Sequence, residues 1–297
     1  MTTRIYPLIF LVCLSCASVR EKGEFFREPV PKSVVLEDWS PRWENLMDGL
    51  DIGQGEIGEP RLMFYFLRVE LDAGFRIILN EPGEEFGVVP SVFVSTFARR
   101  NGCIAAINAS PFDLASAKEG ENRRVAGVFV VDGLLWQNPN PSFAALVFKT
   151  DGSAEIVEQS QIDSSTLEHI ENAVGGFRVT LKDGKVAERV LGSAARHPRT
   201  AVGLSDKGRV LYMLAVDGRQ TASVGATERE IALILSAIGA EQGLNMDGGG
   251  STAFAVNGRL INRPVHRPFP FSFFSPNNER AVGVCIGIAR RHEKEKK

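Results

Sequence analysis

Tight-turn dipeptides punctuate this chain too often for long helices. Asp132-Gly133, Asp151-Gly152, Asp183-Gly184, Asp217-Gly218 and Asn257-Gly258 each follow a short apolar run, among them Val128-Phe129-Val130-Val131 and Val210 to Val216. Asx-Gly pairs favour two-residue hairpins because both central residues of such a turn take positive φ. Short strands closed by tight turns predict a largely antiparallel or mixed sheet. Arg61 to Leu79 reads as two strands around Asp72-Ala73-Gly74. Helical signals are few. Ser91 to Arg100 reads as a short helix with Ser91 as N-cap. Thr227-Glu228-Arg229-Glu230 is a capping box opening a clear amphipathic helix through Ile231, Ile234, Leu235 and Ile238, closing near Gly243. The expected fold is α+β: a single domain with a mixed or antiparallel β-sheet and a few packed helices.

The N-terminus has the pattern of an export signal. Arg4 supplies a positive flank, Ile5 to Leu14 an apolar stretch, and Ser15-Cys16-Ala17 the small residues of a cleavage site. Cys13-Leu14-Ser15-Cys16 resembles a loose lipobox, with Cys13 where Leu is usual, so the expected mature form is lipid-anchored at Cys16; the alternative is ordinary secretion cut after Ala17. Both place the protein outside the cytoplasm, in the envelope, periplasm or medium. The apolar stretch is shorter than the ~18 residues a membrane helix needs. The chain therefore divides into a signal and lipobox over 1–16, a tether and lead-in over 17–57, one domain over 58–290 and a charged tail over 291–297.

Composition limits the partners. Lys and Arg total 34 and Asp and Glu 36, a net charge of −2, so no basic field invites nucleic acid. A charged substrate must be met by local groups. Cys13 and Cys16 belong to the signal; Cys103 and Cys285 lie in apolar strand-like surroundings and read as buried thiols, with a disulfide between them left open.

The stretch that demands a chemical reason is Asn245-Met246-Asp247-Gly248-Gly249-Gly250-Ser251-Thr252, between the clear helix and a strand. Three consecutive glycines cost backbone entropy, so something requires positive φ or a close backbone approach. Successive N–H groups in such a turn can form an anion-binding nest, with Asp247 at its edge. Taken alone, the stretch is equally a flexible turn.

Further blocks remove that ambiguity. Asn245 to Thr252 resembles the Asn-Leu-Asp-Gly-Gly-Gly-Ser-Ser/Thr signature of the phosphodiester glycosidase family, of the uncovering-enzyme type, whose members remove a sugar from a sugar phosphodiester. Ala105 to Asp113 resembles its Ala-Ile-Asn-Gly-Gly-Phe-Phe-Asp block, Pro198 to Gly203 its Pro-Arg-Thr-Ala-Ile-Gly, and Val216 to Arg219 its Val-Asp-Gly-Arg. Asn262-Arg263-Pro264 and Glu279-Arg280-Ala281-Val282 resemble its closing pair. The likeness runs over roughly residues 58–290, and an ordered series of blocks is far more specific than one motif. Ala109-Ser110-Pro111 departs from the family's small-Gly-Phe run, which points to a different pocket wall and substrate choice.

The resemblance implies a hydrolase. A sugar joined through a phosphodiester leaves as a phosphate monoester, which needs little protonation, unlike the alkoxide of an ordinary glycoside. One carboxylate plus cationic phosphate ligands then suffices. The catalytic candidates are Asp247, as nucleophile or as base for water, with Asp217 and Asp113. Arg199, Arg280, Arg219 and Arg263 are candidate phosphate forks, Arg199 foremost, because the planar guanidinium binds two oxygens at once. Asn108 is a candidate partner for sugar hydroxyls or an acetamido group, and Thr200, Asn245, Gly248, Gly249, Gly250 and Ser251 complete the expected substrate-binding set. Asp132, Asp151 and Asp183 belong to turns. His197, beside Pro198-Arg199, is either pocket-lining or structural. No transition-metal spacing occurs; a Ca2+ held by Asp and backbone oxygens is compatible with the residues but spelled by no motif. The expected substrate is a sugar-1-phosphodiester in an envelope or extracellular glycan or glycolipid. The alternatives are a non-catalytic phosphosugar or glycan receptor and, more weakly, a phosphodiesterase breaking the P–O bond, which normally needs a metal cluster.

Overall fold

Strand-forming residues dominate the computed structural model, which describes residue 36 and residues 39–114, 118–266 and 278–291. The signal and lipobox, most of the tether, and tail residues 292–297 lie outside the described residues. Three sheets carry the chain. The first runs, in spatial order, Glu44–Met47, Leu50–Ile57, Leu62–Glu70, Val210–Val216, Arg199–Ser205, Gln242–Asn245, Arg178–Lys182 and Lys185–Val186. The second runs Ala154–Glu158, Ala144–Lys149, Ile170–Gly175, Phe129–Val131 and Leu134–Gln137; the third runs Arg259–Leu260, Phe254–Val256, Ala105–Asn108, Cys285–Arg290 and Phe75–Leu79. Val88–Pro90 and Asn122–Arg124 form a separate pair.

Every strand pairing among the described residues is antiparallel. The expected antiparallel sheet and few helices are found, and the α+β class is corrected: the protein is predominantly antiparallel β, with helices among the described residues at Val94–Arg100, Ser164–Leu167 and Glu228–Ala237 and a few 3-10 turns. Residues 44–57, placed in the lead-in from sequence, form two strands that extend the first sheet through Leu62–Glu70.

Period-two alternation explains the layering. Leu67, Val69, Leu211, Met213, Val202, Leu204 and Leu244 face a core shared with the other sheets, where they meet Phe129, Leu146, Phe254 and Ile286. Their neighbours Phe64, Phe66, Leu214, Val216 and Ala201 face the opposite way, against Ile231, Ile234 and Leu235 of the long helix. Trp39 and Trp43 cover this second layer by ring contacts with Phe64 and Phe66, with centroids 4.8–5.9 Å apart.

Turn chemistry holds at Asp132-Gly133, Asp183-Gly184 and Asn257-Gly258, where both residues have positive φ. Asp217-Gly218 does not close a hairpin: Asp217 is buried at a strand end and the left-handed residue is Arg219, at φ 58°. The strands Leu62–Glu70 and Phe75–Leu79 do not pair with each other but enter different sheets.

The capping box is present, the Thr227 hydroxyl accepting from Glu230 N–H at 3.1 Å and the Glu230 carboxylate from Thr227 N–H at 2.9 Å. That helix ends at Ala237, and Gly243 falls inside the following strand rather than at a helix stop. Ser91 does not cap the short helix, which begins at Val94. Glu279, 184 residues away, takes that task by accepting from Ser95 N–H at 3.0 Å and Ser95 Oγ–H at 2.8 Å. Cys103 and Cys285 are free, buried in one apolar cluster, and burial pushes both thiols above their ordinary range, Cys103 to about 11.

Candidate active site

Antiparallel order brings one set of strand ends together. Val210–Val216, Gln242–Asn245, Ala105–Asn108 and Ile170–Gly175 finish where Arg199–Ser205, Arg178–Lys182, Phe254–Val256, Ala144–Lys149 and Cys285–Arg290 begin. The loops leaving this end carry all the sequence blocks singled out above.

Asp247 lies at the end of Gln242–Asn245 and is partly exposed. Its N–H donates to Ala109 C=O at 2.9 Å, and its own C=O accepts from the Asn108 amide at 2.6 Å. Burial pushes its carboxyl up to about 6; donation from the Ser251 hydroxyl, the Arg280 charge and the Gly248 N–H pull the other way without overcoming it. Arg280 Nη1 donates to Ser251 Oγ at 3.2 Å, and its Nε donates to His266 Nδ1 at 3.1 Å, which makes Nδ1 the acceptor nitrogen. Ser251 thus bridges the carboxylate and the guanidinium.

The three glycines act differently from the expected nest. Gly249 N–H is spent on Pro198 C=O at 2.7 Å and Gly248 N–H on Asp247. Their use is space. A Cβ on Gly249 would stand 3.1 Å from Arg219 Nη2, and one on Gly250 would collide with the Arg280 guanidinium. The turn therefore lets two guanidinium groups lie against its backbone beside Asp247, and Gly249 also needs its positive φ of 63°.

Arg199 is engaged elsewhere. Its backbone flanks Gly248, but its guanidinium turns away: Nε donates to Ala226 C=O at 3.0 Å, Nη2 to Ala195 C=O at 3.1 Å, and Nη1 stands 3.7 Å from Glu228. These bonds make it a structural tie between the strand start and the long helix. Glu228 also draws Asn245 Nδ2 at 3.3 Å and Arg178 Nη1 at 3.4 Å. Sequence reading missed Glu228 and Arg178; the first position of the capped helix was the only signal for Glu228, and Arg178 carried none.

Asn108 is likewise engaged within the protein. Besides Asp247 C=O, it serves Thr200 Oγ1–H at 2.7 Å and Ala253 N–H at 3.2 Å. It is a fully buried post under Asp247, with all three bonds made inside the protein, and Thr200, also buried, supports it. Asn108→Ala leaves three buried groups unpaired and is expected to cost about 2–3 kcal/mol. Thermal melting checks this, and a midpoint unchanged from wild type contradicts it.

Asp217 forms a second layer. Its carboxylate accepts from Asn262 Nδ2 at 3.1 Å and Arg263 N–H at 3.0 Å, while Asn262 Oδ1 accepts from Phe254 N–H at 2.7 Å. It braces the loop behind the glycine turn, and Arg263 serves it through its backbone N–H while its side chain is exposed. Burial pushes Asp217 up to about 6 against those donors and the Arg263 charge. Asp113 is exposed and accepts from Arg124 N–H at 2.8 Å, closing a local turn. Neither carboxylate shares a hydrogen bond with Asp247 among the described residues, where no cluster of three His, Cys, Asp or Glu suited to a metal occurs. His197 is largely exposed, and the partial loss of solvent around its ring, with the Arg199 and Arg219 charges, lowers its pKa.

Raised carboxyl pKa values fix a stability sign. Folded Asp217 binds its proton more tightly than the unfolded chain, whose value is 3.8. Its contribution is therefore lost as pH rises from about 4 to about 6. Asp217→Asn is expected to flatten that slope, measured as denaturant midpoint against pH; an unchanged slope contradicts the assignment.

The site is thus a partly exposed carboxylate on a glycine turn that the Arg219 and Arg280 guanidinium groups approach. A family model for phosphodiester glycosidase matches residues 101–289, and the chain belongs to that family. A SPbeta prophage-derived uncharacterized protein, YomE of Bacillus subtilis, is 28% identical over 198 residues, covering 63% of this chain and 30% of that protein. The chain thus spans under a third of that relative's length. The zebrafish N-acetylglucosamine-1-phosphodiester alpha-N-acetylglucosaminidase catalytic domain, auto-inhibited by its pro-peptide, shares the fold with TM-score 0.61 and 22% identity over 88% of each chain. A hypothetical protein from Synechocystis shares it with TM-score 0.61 and 15% identity, over 84% of this chain and 64% of its own.

Proposed function

We propose that this protein hydrolyses the glycosidic C–O bond of a sugar-1-phosphodiester. The observation that carries the reading is Asp247 beside Arg280 and Arg219 on the glycine turn. Arg280 and Arg219 take the phosphate oxygens, and Asp247 attacks the anomeric carbon or activates water there. The phosphate monoester departs with little need of a proton, so no general acid is required. Family membership supports the hydrolase class. The proposed substrate is a glycan or glycolipid phosphodiester of the envelope or extracellular space, reached by export and anchorage at Cys16, a reading supported by Ser15-Cys16 after the apolar run. N-terminal mass spectrometry of the mature protein tests the anchor; an unlipidated start after Ala17 contradicts it.

The activity is tested with paired substrates, a glycosyl methyl phosphate and the matching methyl glycoside. The diester should be cleaved and the simple glycoside left intact; cleavage of the glycoside alone overturns the proposal. Because Asp247 must be ionised, kcat/KM for the diester should fall about tenfold per pH unit below about 6 and level off above it. A flat profile from pH 4.5 to 7 removes Asp247 from the rate equation.

A further inference from the structure

Across the active-site end of the first sheet the strands run Val210–Val216, Arg199–Ser205, Gln242–Asn245, Arg178–Lys182. Arg219 leaves the first of these, Asp247 leaves the third, and Phe177-Arg178 opens the fourth. Phe177 is stitched to the strand that delivers Asp247, its N–H donating to Asn245 C=O at 2.8 Å, and its C=O accepts from Ala144 N–H of the second sheet at 3.2 Å. Its ring stands edge to face with Phe143, centroids 5.5 Å apart and planes at 80°. Both phenylalanines are partly buried, so each keeps some apolar surface open to solvent at this end of the strands. Beside them Arg178, its side chain 54% exposed, is steadied by Glu228 at 3.4 Å.

We infer that Phe143, Phe177 and Arg178 form the subsite for the sugar ring whose anomeric bond is cleaved. The inference rests on the proposed activity and adds the placement of the substrate. Arg219 stands on one side of Asp247, Phe177 and Arg178 on the other. With phosphate on the Arg219 and Arg280 side and the anomeric carbon at Asp247, the pyranose falls on the aromatic pair. The open edges of the two rings take its apolar C–H face, and the Arg178 N–H groups donate to its hydroxyls. Binding sites of this kind join an aromatic surface to a few fixed polar groups. Ala109-Ser110-Pro111, the segment that departs from the family block, is buried behind this end of the strands.

The test separates sugar from phosphate. Glucose and N-acetylglucosamine are titrated calorimetrically into wild type, Phe143→Ala and the milder Phe177→Leu, each checked for folding by circular dichroism; methyl phosphate is titrated in parallel. At least one monosaccharide should bind wild type and lose tenfold or more in affinity in either folded variant, while methyl phosphate changes less than twofold. With the diester, KM should rise at nearly constant kcat. The subsite is overturned if neither monosaccharide binds wild type, if the folded variants bind sugar normally, or if methyl phosphate weakens in step. Sugar binding that depends on the phenyl rings without any diester hydrolysis would sink the proposed activity and leave the subsite standing. Hydrolysis indifferent to both rings would do the reverse.

Discussion

Asp247→Asn is expected to fold and to lose turnover on a glycosyl phosphodiester by about 10²-fold or more. The amide keeps the size of the carboxylate and can still accept from Ser251 and Gly248, so the turn should hold. What disappears is the charge, and with it both nucleophilic attack and activation of water. Folded-state stability should be unchanged or higher above pH 6, because the carboxylate ionises against burial. A structural aspartate would behave oppositely, with a lowered melting midpoint and normal activity per folded molecule. A folded Asp247→Asn with near-normal turnover returns the chemistry to another group.

The second large effect belongs to Arg280. Arg280→Lys keeps a positive charge but cannot serve His266 Nδ1 and Ser251 Oγ together from one planar fork. It should lower kcat/KM about 10²-fold, roughly 2.7 kcal/mol of transition-state binding. Arg199→Lys should act mainly on stability, by about 1–2 kcal/mol, because it forfeits the bonds to Ala226 and Ala195. This ranking reverses the one the sequence motif suggests. Steady-state kinetics and melting curves of the two variants decide it; a greater loss of turnover in Arg199→Lys would restore Arg199 as the phosphate ligand.

The reversal shows where the sequence was legible. Turn dipeptides, the capping box and the block order identified strands, the long helix and the family, because those features are fixed by local backbone chemistry. Direction of side chains was not legible. Arg199 and Thr200 are adjacent in one block, yet strand alternation sends Thr200 toward Asn108 and Arg199 toward Glu228. Motif membership treated Asn108 as a ligand, whereas its three hydrogen bonds make it a support. The glycine run announced a close approach correctly but not what approaches: two guanidinium groups, arriving from loops at Arg219 and Arg280. Glu279 could not be read as a cap for a helix beginning at Val94, since the pairing spans most of the domain. Such long-range partners leave no local pattern.

The central claim is which bond breaks. Hydrolysis of a glycosyl methyl phosphate in ¹⁸O-water, followed by mass spectrometry of both products, reads it directly. Attack at the anomeric carbon, as Asp247 between a sugar subsite and an arginine phosphate site requires, puts the label in the sugar and leaves the methyl phosphate unlabelled. Label in the methyl phosphate and none in the sugar would mean P–O cleavage and would contradict the account.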